Sequence, residues 1–123
     1  MRPLLLLALL CAPAFAQQGH DNEAQRPEGQ YGAGHEQWHE RFYSKLMRRD
    51  THTSCCSLSD CRPTQMRMMG DHYEVKVEGV WTAVPPSVIQ HLAAPDGGAH
   101  VCAPRQEGTN KGVLYCVILP PDM

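Results

Sequence analysis

The chain has 123 residues, a formal charge of −2 and 42% apolar side chains. That is enough for one small domain beyond any leader. The mild acidity excludes a basic nucleic-acid footprint or a polybasic membrane patch, so neither partner is expected.

Residues 1–16 read as a secretory signal peptide. Met1 and Arg2 form a short positive start, Leu4 to Leu10 an apolar run, and Ala14-Phe15-Ala16 a small-x-small cleavage site. The apolar run is too short to span a bilayer, which needs about 20 residues. Leu10 before Cys11 disfavours lipidation. The expectation is cleavage after Ala16 and a periplasmic or extracellular protein with no membrane insertion after signal removal. Residues 17–34 are rich in Gln, Gly and acidic side chains and read as a disordered leader.

Cleavage removes Cys11 and leaves Cys55, Cys56, Cys61, Cys102 and Cys116, an odd number. In an oxidising compartment such cysteines pair. The neighbours Cys55 and Cys56 are poorly placed to bridge each other. Two of Cys55, Cys56 and Cys61 are therefore expected to reach Cys102 and Cys116, with the connectivity left open.

Within 35–119 the expectation is a single disulfide-stabilised α+β domain. Residues 35–49 read as a helix, because Trp38, Phe42 and Leu46 recur at a spacing of four. Glu36 and Glu40 lie early and Arg48 and Arg49 late, which suits the helix dipole. After Pro63 the period becomes two. Strands are expected at 64–69, 73–77, 80–84, 99–103 and 113–119. Gly70-Asp71 and Glu78-Gly79 read as turns, 87–92 as one short helical turn, and Pro95-Asp96-Gly97-Gly98 as a further turn. The architecture expected is one N-terminal amphipathic helix packed on a four- or five-stranded antiparallel sheet or partly closed barrel, stapled by about two disulfides.

The sharpest chemical pattern is His35-Glu36-Gln37-Trp38-His39, an H-E-x-x-H sequence on the expected helix. Residues four apart share a helix face, so two imidazoles can hold one Zn²⁺ while the Glu polarises its water. A zinc peptidase also needs a third ligand, and the extended motif fails at Phe42 and Lys45. The bland reading sets both histidines at the border of the packed face. Between these lies a non-catalytic site in which His35 and His39 hold Zn, Cu or Ni with His52, His72, His100 or a carboxylate.

Weaker signals accompany it. Gln18-Gly19-His20 would chelate copper or nickel if cleavage fell one residue later. Met66, Met68 and Met69 lie near His72, but their strand spacing suits packing. A free thiol among Cys55, Cys56 and Cys61, with His52 close in sequence, is a candidate nucleophile. Structural pairing is the better use of these cysteines, and the compartment disfavours a zinc knuckle from Cys55, Cys56 and Cys61.

Ser54-Cys55-Cys56, Asp60-Cys61-Arg62-Pro63, Val80-Trp81, Val84-Pro85-Pro86, Pro95-Asp96-Gly97 and His100-Val101-Cys102 together resemble a group of small exported bacterial proteins of unknown function. The resemblance covers 35–119. It implies export, a His-bearing N-terminal helix, a cysteine cluster and a short β region, and it carries no activity. The leading expectation is a non-enzymatic periplasmic or secreted binding module, with a divalent metal at His35 and His39. One alternative is a minimal zinc metallopeptidase with Glu36 as general base. The other is a structural or inhibitory protein that binds another exported protein through its cysteine-anchored loops.

Overall fold

A computed structural model describes residues 34–57 and 60–123. The signal reading and all of the leader except Gly34 lie outside the described residues. The elements are a helical turn α1 (His35–Trp38) and seven short strands: β1 (Cys61–Pro63), β2 (Met66–Met69), β3 (His72–Val77), β4 (Val80–Ala83), β5 (Ile89–Gln90), β6 (His100–Cys102) and β7 (Cys116–Ile118).

They form two sheets. One has four strands in the order β1-β6-β7-β5, the other is the meander β2-β3-β4. The expected α+β class therefore holds only coarsely, since one short helix accompanies two sheets. Neither sheet closes into a barrel. Nor is the larger sheet purely antiparallel, because β5 runs parallel to β7. The stretch 87–92 divides into a 3-10 turn (Pro86–Val88) and strand β5.

Strand alternation gives the four-stranded sheet two distinct faces. Cys61, Cys102 and Cys116 lie in one cross-strand row, and Pro63, His100, Ile118 and Gln90 lie in another on the same face. That face packs on Phe42, Tyr43, Leu46, Cys55 and Cys56 from the N-terminal segment. The row between them is Arg62, Val101, Val117 and Ile89, on the opposite face. Its valines pack with Val75, Val77, Val84, Ala103 and Leu114 in a second, aliphatic cluster. The domain thus has three layers, with the four-stranded sheet in the middle.

Of two disulfides, one staples neighbouring strands of this sheet and the other fastens the outer segment to it. Cys61 bonds Cys102, its direct partner across β1 and β6, and Cys55 bonds Cys116 on β7. Both fit the expected division of the cysteines. Cys56 takes part in neither bridge. Such bridges belong to an oxidising environment. Among the described residues, no helix is long and apolar enough to cross a membrane.

The helix expected over 35–49 is not formed as a regular element. After α1 the chain continues in turns, reaches a 3-10 turn at Tyr43–Lys45, and then folds back so that Met47 bridges Ser54. The spacing of four marked Trp38, Phe42 and Leu46 but passed over Tyr43, which is wholly buried beside Phe42. Burying two adjacent aromatic rings on one sheet requires local rewinding: Ser44 N–H reaches the His39 carbonyl while Lys45 N–H bonds that of Phe42. A helix this short has little stability of its own, so packing decides its winding.

The two glycines that matter most here serve different needs. Gly34 starts α1 with φ +95°, and a Cβ there would lie 3.0 Å from the Pro63 ring. Glu78 and Gly79 both take positive φ, which makes the tight β3–β4 connection.

Candidate metal centre

His35 and His39 lie one helical turn apart, which brings their rings together over the cysteine loop. The His35 Nδ1–H donates to the Cys61 carbonyl at 2.5 Å. This bond turns Nε2, with its lone pair, toward His39 Nδ1 at 2.9 Å. Cys56 Sγ lies 3.9 Å from His35 Nε2 and 3.9 Å from His39 Nδ1. These three donor atoms form a triangle within 4.8 Å, with His35 buried and the other two residues largely so.

The dimensions suit a metal. Zn–N and Zn–S bonds of about 2.05 and 2.3 Å at tetrahedral angles separate the donors by roughly 3.3 Å (N to N) and 3.6 Å (N to S). Shifts of a few tenths of an ångström bring the observed triangle to that shape. A carbonyl on the far nitrogen of a ligating imidazole fixes its tautomer and ring plane, as the Cys61 carbonyl does for His35.

His35 and Cys56 are held by their neighbours. The His35 ring stacks on Tyr43, centroids 5.5 Å apart. Cys56 follows Cys55, which is tethered to β7 through Cys116. The Ser54 hydroxyl bonds both the carbonyl and the N–H of Cys56. The Asp60 carboxylate accepts the Ser57 N–H at 3.0 Å. Burial raises the Asp60 carboxyl above its ordinary value, against the opposing pull of the Ser57 hydrogen bond and the charges of Arg62 and His35.

Behind Tyr43 runs a second polar chain. The Tyr43 O–H donates to His100 Nδ1 at 2.6 Å, and His100 Nε2–H donates to Asp96 Oδ1 at 2.8 Å. His100 has no exposed surface and sits among Trp38, Phe42 and Tyr43. Burial pushes the Tyr43 phenol far up, with the charges of Asp96 and Cys56 adding to it. Burial alone would raise the Asp96 carboxyl, but the His100 and Gly98 hydrogen bonds outweigh it and hold the group below its ordinary range.

The expected site residues divide accordingly. His35 and His39 come together, and the third donor beside them is Cys56. Both nitrogens of His100 are engaged by Tyr43 and Asp96, so it is not placed as the third ligand. His72 is exposed and pairs with Asp71 and Glu74 on the three-stranded sheet. His52 is exposed in a turn with φ +57°. Glu36 is exposed and lines, with the two histidines, a cleft of about 520 Å³. His20 lies outside the described residues.

Cys56 was legible in sequence only as the odd cysteine. Its role as a third donor needs the fold, because 17 residues separate it from His39. The Asp96–His100 pair had a signal that spacing did not exploit, an acidic turn four residues before a strand histidine.

Comparison with known proteins finds no matching family, no matching curated protein and no matching solved structure. The chemistry of the site must therefore carry the functional reading.

Proposed function

We propose that this chain is an exported, non-enzymatic metal-binding module that holds Zn²⁺, or a related ion such as Cu or Ni, through His35 Nε2, His39 Nδ1 and Cys56 Sγ. The signal-like N-terminus and the disulfides support a periplasmic or extracellular setting. The observation that carries the metal reading is the convergence of two imidazole nitrogens and one thiol within 4.8 Å. Imidazole and thiolate are the donors that borderline and soft ions prefer, and zinc takes them without redox chemistry. Binding through His39 Nδ1 leaves that ring's proton on Nε2 and releases the thiol proton of Cys56, so affinity rises with pH.

The peptidase alternative has less behind it. The third donor is a thiol rather than the His or Glu that zinc peptidases add to this motif, and the motif helix is a single turn. Partner capture through the cysteine-anchored loops has no observation that favours it over plain turns.

The test is metal content of the mature chain, residues 17–123, purified without an affinity tag and equilibrated with zinc. About one ion per chain is expected, lost in His35→Ala/His39→Ala and in Cys56→Ser and retained in Glu36→Gln. Retention of zinc by the histidine double variant, or no zinc in the parent chain, overturns the reading.

A further inference from the structure

The three donors approach a metal from one side, and that side is closed. His35 and Cys56 are 5% and 8% exposed. The Cys61 carbonyl and the Tyr43 ring back His35, and the cysteine loop backs Cys56. Among the described residues, the opposite side is open: the same two imidazoles line the cleft of about 520 Å³, together with Glu36, Gln37, Glu40 and Arg41.

Zinc and its relatives bind four donors, and a site with three protein ligands keeps its fourth position for an outside molecule. Among the described residues, no fourth His, Cys, Asp or Glu joins the triangle. Among the described residues, the cleft's charged side chains are two carboxylates and one guanidinium, and that guanidinium is drawn over the Trp38 indole, 5.2 Å from its centroid. Carboxylates accept hydrogen bonds and offer none. A base that ligates through one nitrogen and still carries an N–H on the other satisfies both the metal and the carboxylates.

We propose that a metal held here keeps one exchangeable coordination position facing this cleft, and that the position takes an imidazole-type base whose second nitrogen donates to Glu36 or Glu40. This rests on the metal reading above. The step is ligand exchange: a metal-bound water leaves, the base's lone pair takes its place, and no proton or electron is transferred.

Cobalt(II) serves as the probe, since its d–d bands report coordination and its thiolate charge-transfer band reports the bond to Cys56. The cobalt-loaded chain 17–123 is titrated with imidazole and, separately, with N-methylimidazole, which ligates equally but lacks the second N–H. Imidazole is expected to shift the d–d bands while the thiolate band persists. N-methylimidazole should need about tenfold more ligand for half-saturation, as expected for loss of a hydrogen bond to a charged acceptor. The ratio should approach one in Glu36→Ala/Glu40→Ala. Bands that imidazole leaves unchanged mean a shell already closed, and equal half-saturation by the two bases in the parent chain means no role for the carboxylates; either overturns the proposal. Absence of any cobalt band is a different result, which removes the metal reading itself.

Discussion

The two faces of the four-stranded sheet are buried by different means. One face carries mainly aliphatic side chains against the β2-β3-β4 meander, beside a buried Arg62 that donates to the Asp60 carbonyl, and its order follows chiefly from shape and the hydrophobic effect. The other carries two disulfides, two buried histidines and a buried tyrosine under an irregular segment with four residues of helix. Covalent bonds and fully satisfied hydrogen bonds there do the work that regular secondary structure does elsewhere. A surface assembled in that way can hold donor atoms at fixed separations without a long helix to mount them on.

The sharpest way to break this contrast is to remove a bridge from the bonded face. In Cys55→Ser/Cys116→Ser the chain loses a link that closes a loop of 61 residues. The chain-entropy account puts the loss at about 4 kcal/mol. Two hydroxyls also replace sulfurs at wholly buried positions. Chemical denaturation should show a loss of that order. Zinc retention should fall as well, because Cys56 is positioned by its neighbour's bond to β7.

A smaller effect is expected on the aliphatic face. Val77 is wholly buried between the sheets. Val77→Ala removes two methyl groups and should cost about 2 kcal/mol in denaturant unfolding. Zinc content should stay at the parent level, since the centre lies across the middle sheet. A variant that loses zinc along with stability would show that the two faces are energetically one unit.

The same contrast explains what could be read from sequence. The strands of the meander were legible because alternation such as Tyr73, Val75 and Val77 is itself the signal for one buried face, and Glu78-Gly79 names its turn. The division of the cysteines was legible because adjacency excluded one pairing. The N-terminal segment was not, because its order comes from long-range bonds: Cys55 to Cys116, Tyr43 to His100, His35 to the Cys61 carbonyl. No local period encodes these. The parallel β5–β7 pair was missed for a related reason, since two residues are too few to show a period.

The smallest expected effect separates the faces by pH. Asp96 accepts the His100 N–H and holds its own turn through the Gly98 N–H. Its carboxyl lies below the ordinary value of 3.8 in the folded chain. A depressed carboxyl contributes stability that is present above that ordinary value and lost as the pH falls through the folded value. The bonded face should therefore weaken below about pH 4, whereas among the described residues the aliphatic cluster itself holds no carboxyl. Asp96→Asn keeps an oxygen to accept the His100 hydrogen bond but removes the charge. Denaturation followed from neutral to acid pH should show a modest loss at neutral pH and a shallower acid dependence than the parent chain. An unchanged acid slope would mean that other carboxylates set it. The histidine would then owe its place to packing among Trp38, Phe42 and Tyr43 rather than to the charge beside it.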